Sequence, residues 1–277
     1  MTSIHRLKSM CTHILFILLT LVWSYPFIWM ISSSFKTSSE MLMDGLSLWP
    51  KTWTLSNFGR AWERANFDTY FLNTLVISVS VVALVVLISA TSGYALGRGN
   101  MPGKRWIVGI LVATMFLPKG VVVIPVFKLI HAMGLNNTLT GIILAEAGPA
   151  HIVAILLFMG FFAKVPVELE ESARMDGAGF LTTFVKVMFP LSAPVIGTVT
   201  IFNFIGAWNS FLLPLIFTLS KPELRTLGVG MYSFFGEFSV DWSGFAAGAL
   251  LSVLPILIVF LLLQRSFIEG LAGAVKG

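Results

Sequence analysis

Few side chains in this sequence have types and spacings that could do chemistry, and each set implies a different one. Glu146 and His151 stand five residues apart in an otherwise apolar stretch, and an ionisable pair inside a hydrophobic segment has the makings of a proton relay. Against that, an i,i+5 spacing puts the two groups on different faces of a helix, and a carboxylate near a membrane surface followed by the Gly148-Pro149 break serves as well. Asn203, Trp208 and Asn209 offer amides and an aromatic face, the groups that fix a polyhydroxylated solute; helix–helix hydrogen bonding and packing use the same residues. A third set, Glu168, Glu170, Glu171 and Asp176, crowds into a few residues before Gly177. Covalent chemistry finds no support. His5, His13, His131 and His151 make no His-Glu-x-x-His motif, and no Gly-x-Ser-x-Gly elbow occurs. Cys11 is the single cysteine, which rules out an intrachain disulfide and a cysteine metal cluster. Residues 97–105 lack the Gly-x4-Gly-Lys-Ser/Thr spacing of a phosphate-binding loop and read as a turn.

The elements that must position these groups follow from composition. Of the 277 residues 56% are hydrophobic and 11% charged, with a mean hydropathy of +0.89, whereas soluble domains carry about a quarter charged residues. Such a chain needs lipid as its solvent. The net charge of +5 comes from basic residues scattered singly between apolar runs, the pattern of topology marking and not of nucleic-acid binding. Ile14–Phe35 is uncharged over 22 residues, longer than a signal-peptide core of about 7–15 residues, and reads as a retained first span.

The uncharged runs predict an all-α polytopic membrane protein with about six transmembrane helices. They fall within 14–33, 70–96, from Trp106 to at least Pro118, 140–163, after Pro190 in the uncharged stretch 187–220, and 242–264. The whole of 1–277 reads as a single transmembrane domain, with core spans over about 70–265. The short segment 98–105 holds Arg98, Lys104 and Arg105 without an acid, which favours both termini inside. The outside segment 36–69 carries Trp49, Trp53 and Trp62, suited to a membrane surface. Gly93-x3-Gly97 and Gly244-x3-Gly248 permit close helix approach.

The inside loop 164–190 is the most informative stretch. Pro166 suits a helix start, Glu168, Glu170 and Glu171 favour the first turn, and Gly177 and Gly179 supply a stop. A second helix restarts near Phe180, with Phe180, Phe184, Val187 and Leu191 on one stripe. An acidic helix beside an apolar face wants a protein partner, and acids facing an anionic leaflet disfavour the alternative of a loop lying on the membrane.

Glu171-Ser172-Ala173, Gly177, Val187 and Phe189-Pro190 resemble the Glu-Ala-Ala…Gly…Ile-x-Leu-Pro signature of binding-protein-dependent ABC importer permeases. Ser172, Val187 and Phe189 are conservative departures from it. The tail 264–277, with Asp241-Trp242, Trp208-Asn209-Ser210-Phe211 and Asn73-Thr74, is similar to the carbohydrate (maltose-type and glycerol-3-phosphate-type) subgroup, so the resemblance covers nearly the whole chain. It implies a cytoplasmic coupling-helix loop between the fourth and fifth spans in which Glu171, Ser172, Ala173 and Gly177 form a knob docking on an ATP-binding subunit. Glu170 and Asp176 would meet basic groups of that partner, and Asn203, Trp208 and Asn209 are candidates for the substrate path. It implies a bacterial inner-membrane protein working with a second permease, two ATP-binding subunits and an extracytoplasmic solute-binding protein on a sugar or sugar derivative. ATP and magnesium would belong to the partners, and no cofactor to this chain. Arg265, Lys276 and Gly277 would lie at the inner surface, against the ATP-binding subunits or the lipid. A stand-alone proton-coupled transporter using Glu146 and His151, and a membrane scaffold, are the alternatives.

Overall fold

The computed structural model describes residues 2–148, 151–236 and 239–275; Lys276 and Gly277 lie outside them. The chain is all-α: among the described residues there is no β-strand, only an isolated bridge between Phe235 and Val240. Among the described residues fifteen α-helices run in the order α1 (Thr2–Ser34), α2 (Ser38–Met43), α3 (Ser56–Arg64), α4 (Phe67–Arg98), α5 (Lys104–Thr114), α6 (Lys119–Ala132), α7 (Leu139–Ala147), α8 (Ile152–Lys164), α9 (Glu168–Met175), α10 (Phe180–Thr183), α11 (Phe189–Leu191), α12 (Ala193–Trp208), α13 (Leu212–Phe217), α14 (Leu227–Gly230) and α15 (Trp242–Val275).

Three of these are long and apolar enough to cross a membrane alone, over Ser9–Ser34, Phe67–Arg98 and Trp242–Ile268. Two helix pairs are long and apolar enough together but bent at a break, the geometry of a broken span or of a re-entrant loop: α7 with α8, and Phe180–Leu191 with α12, which meet at 74°. Where the sequence reading has about six continuous runs, the described residues thus hold three helices able to cross alone, and up to five spans if each bent pair is one. The expected third span is cut at Pro118 into α5 and α6, of 11 and 14 residues; a proline lacks the donor that would continue the ladder.

The chain divides into two compact units, Met1–Phe67 with Gly230–Leu254, and Asp68–Val229 with Pro255–Gly277. In the first, Ala61, Ala65, Phe234 and Ala247 form a small core. The connection after α1 is folded by hydrogen bonds and not draped as a loop. Asn57 donates to the carbonyls of Ser34 and Lys36 at 2.8 and 2.7 Å, and the Trp29 indole donates to Gly45. Trp49, Trp53 and Trp62 are exposed, as expected of interfacial tryptophans. Asp241, just before α15, receives Arg60 at 3.2 Å and Arg64 at 3.8 Å. Burial opposes its charge, but the Gly244 amide, the Arg60 guanidinium and the Ser243 hydroxyl outweigh that and hold the carboxyl below the usual carboxylate range.

The second unit has one apolar core, drawn from α4, α7, α8 and α12 around Val85, Ile142, Phe158, Phe162 and Val199. Gly93 and Gly97 make the α4–α8 contact close. A Cβ on Gly93 would lie 2.5 Å from the Phe158 Cβ, and one on Gly97 3.0 Å from the Met159 carbonyl oxygen. The small-residue spacing thus does the packing work expected of it.

Candidate functional site

The acidic loop is built from its stop signal backwards. Gly177 has φ +83 with open space where a Cβ would stand. Its N–H donates to Arg174 at 2.9 Å while the Ala178 N–H reaches back to Ala173 at 2.9 Å. This paired closure satisfies the last carbonyls of α9 and needs a left-handed residue at its centre. At the other end Glu168, Glu170 and Glu171 occupy the first turn, where the helix dipole favours acids by about 0.3–1 kcal/mol each.

The faces of α9 are unlike. Glu171, Ser172, Asp176 and Gly177 are exposed and Ala173 is half-buried. Glu170 does not join them. It is 3% exposed and its carboxylate lies 2.8 Å from Arg98 Nε, with Arg174 3.7 Å away. The Arg98 contact is one of opposite charges and not an aligned hydrogen bond. The expectation that Glu170 meets a partner's basic groups is thereby corrected: its partner is within the chain, because a carboxylate this buried needs a counter-charge. Arg98 also donates to the Val165 carbonyl, so the end of α4 grips the entrance and the first turn of α9.

A second grip follows directly. Tyr94, one turn before Arg98, is buried and stacks on Phe180 at 4.7 Å and on Phe184 at 5.2 Å. The stripe expected over Phe180, Phe184, Val187 and Leu191 is split, since Phe184–Met188 is a π-turn that adds a residue to the repeat. Phe184 is buried while Leu191 is exposed. Met175 and Leu181, 88% and 70% exposed, are left beside the acidic knob as uncovered apolar surface.

The expected substrate-path residues are not brought together as a lining. Trp208 is 3% exposed, packed against Phe204 and Phe71. The side-chain amides of Asn203 and Asn209 donate back to the carbonyls of Val199 and Ile205 on their own helix, at 2.8 and 2.9 Å. The Glu146 carboxylate accepts from the Ser210 hydroxyl, and the His151 ring meets the main-chain carbonyl of Glu146 at 3.2 Å. Asn73 and Thr74 hold the segment before α14: Asn73 donates to Glu223 and Arg225, and Thr74 Oγ1 accepts the Leu227 N–H at 2.8 Å. Among the described residues no group of three or more His, Cys, Asp or Glu side chains could hold a metal.

The arrangement is that of a membrane-helix bundle carrying an exposed acidic helix on a rigid mount, with a glycine-closed end. The family model described as the binding-protein-dependent transport system inner membrane component matches residues 89–271, a stretch that includes the whole mount and the acidic helix. The chain belongs to this family. The chain is 34% identical to the diacetylchitobiose uptake system permease protein of Streptomyces coelicolor, over 99% of this chain and 89% of that one. It is 36% identical to the trehalose transport system permease protein of Mycobacterium tuberculosis, over 93% of this chain and 95% of that one. A crystal structure of a bacterial ABC transporter that imports the acidic polysaccharide alginate superposes with a TM-score of 0.81 and 25% identity, covering 95% of this chain and 97% of the matched one. The chain is accordingly a membrane transport protein that works within a transporter complex.

Proposed function

We propose that this chain is a permease subunit of an ATP-driven importer for a sugar, an oligosaccharide or a sugar derivative, and that α9 is its coupling element. It would form half of the translocation pathway beside a second permease in a bacterial inner membrane, with both termini cytoplasmic. Two ATP-binding subunits would supply hydrolysis, with their own ATP and magnesium, and an extracytoplasmic binding protein would deliver solute. The substrate class rests on the relatives, which take up diacetylchitobiose and trehalose by name.

The observation that carries the coupling role is the contrast within α9: Glu170 is anchored to Arg98 from inside while Glu171, Ser172, Asp176 and Gly177 are turned outward. A helix fastened on one face and open on the other can pass a push from a docked subunit into α4 without rotating in place. Glu171 and Asp176 supply acids for a basic cleft, and Met175 and Leu181 supply apolar surface that docking removes from water. The alternating exposure of a central site would follow from that push.

The test uses Gly177→Leu and Gly177→Asn in proteoliposomes holding the complete transporter. A leucine cannot sit at φ +83 without about 1–2 kcal/mol of strain, so the end of the docking helix is lost. Asparagine tolerates that conformation. Solute uptake driven by ATP is expected to collapse in Gly177→Leu and to survive in Gly177→Asn, both proteins inserting normally. Full coupled uptake in Gly177→Leu would refute the role.

A further inference from the structure

Between α5 and α8 lies a groove that the transport reading leaves without a use. It has a volume of about 560 Å3 and is lined by Lys104, Arg105, Val108, Gly109, Val112 and Met159, so it runs between α5 and α8. Its walls are apolar almost throughout, and its two basic residues, Lys104 and Arg105, are adjacent at the start of α5. Among the described residues neither Lys104 nor Arg105 makes an ion pair; Lys104 donates to the Gly97 carbonyl at 3.5 Å. A Cβ on Gly109 would have nothing within 4 Å, which leaves the groove open along its length. Trp106, next to the basic pair, is 79% exposed, the placement of an indole at the membrane–water boundary.

From this arrangement we infer that the groove is a binding site for an anionic phospholipid. The headgroup phosphate is held by Lys104 and Arg105 at the boundary, and an acyl chain lies against Val108, Gly109, Val112 and Met159. The occupant is decided by charge and by depth. Two cations at the mouth of a hydrocarbon trough match a molecule with one anionic end and a long apolar body. A soluble anion would leave the trough empty, and a zwitterionic lipid would set its own cation against the basic pair. The inference rests on the transport reading only for its leaflet: Arg98, the last residue of α4, contacts Val165 just before α9 and Glu170 in its first turn, so the 98–105 turn shares the side on which α9 docks. That is the cytoplasmic leaflet, where anionic lipids are enriched.

The full-length chain, purified from membranes in mild detergent with the subunits that co-purify, is exchanged into phosphatidylglycerol or phosphatidylcholine, and retained lipid is counted by native mass spectrometry. Phosphatidylglycerol is expected to be retained in preference to phosphatidylcholine. In Lys104→Gln/Arg105→Gln the preference falls by about 30-fold, since each basic group near an anionic surface contributes a factor of about five. Gly109→Leu, which fills the trough without touching the charges, lowers retention of both lipids. Equal retention of the two lipids by the unaltered protein overturns the inference, and needs no variant to fold. So does an unchanged preference in the double variant, inorganic phosphate displacing the lipid at millimolar concentration, or a photo-cross-linker at Val108 that captures a protein subunit instead of lipid in membranes. Because lipid retention is read without transport, a failed coupling experiment leaves this result standing and the reverse also holds.

Discussion

Arg98 is the residue on which the proposed coupling site turns. Its guanidinium is mostly buried against a carboxylate that is more so, and a buried pair costs most when only one member is removed. Arg98→Met is expected to destabilise the protein by about 3 kcal/mol, as is Glu170→Met, because each leaves a charge without its partner. Arg98→Met/Glu170→Met is expected to cost less than the sum of the singles. Thermal unfolding of the purified protein measures all three, and additive losses would mean that the contact carries no energy. Asp241 gives a second residue-scale test. Its carboxyl is held below the usual range chiefly against burial, by the Gly244 amide and Arg60. A depressed folded-state value means the stabilisation is present above the ordinary carboxylate range and is lost as pH falls through the folded value. The stability gap between the unaltered protein and Asp241→Asn is therefore expected to be constant near neutrality and to narrow in acid. Neither residue's partner could be read from sequence: Arg98 and Glu170 are 72 residues apart, and a lone arginine after an apolar run looks like a topology marker. Trp208 shows the opposite failure, since an aromatic in an apolar helix has the same signature whether it lines a path or fills a core.

At the scale of elements, the uncharged runs located the long helices α1, α4 and α15 because length and apolarity alone decide a span. The acidic helix was also legible, through local signals: Pro166 before it, acids in its first turn and Gly177 after it each act within a turn of the helix. Breaks were less so. Pro118 divides α5 from α6, while Pro26 and Pro255 sit within α1 and α15 without ending them; what neighbours supply to a freed carbonyl decides between these outcomes, and no run of letters states it. The π-turn at Phe184–Met188 shifted the expected stripe for the same reason. Close packing of α4 on α8 yields a prediction with an internal control. Gly93→Ala is expected to destabilise the protein by about 1–3 kcal/mol, because the new methyl meets Phe158 and the Met159 backbone. Gly206→Ala, in α12 with nothing within 4 Å of its Cβ, is expected to be neutral or to stabilise by up to about 1 kcal/mol. Equal effects in unfolding measurements would contradict the packing.

For the whole molecule, the account makes the chain a transmitter. In the proposed reading the outward face of α9 receives a subunit; Arg98 fastens the inward face of α9 to α4, Tyr94 of α4 stacks on Phe180 of the following α10, and α4 packs through Gly93 and Gly97 on α8. Force applied there would enter the bundle through a buried ion pair and a ring stack. The sequence carried the knob but not the mount, because the mount exists only once distant segments meet. The most direct measurement is thiol cross-linking from Asp176→Cys in a Cys11→Ser background, performed in inverted membrane vesicles that hold the complete transporter. The account predicts a cross-linked product with an ATP-binding subunit, formed on the cytoplasmic side and changed in yield by ATP. Labelling of the same cysteine from the outer face of right-side-out vesicles, with no such product, would contradict it.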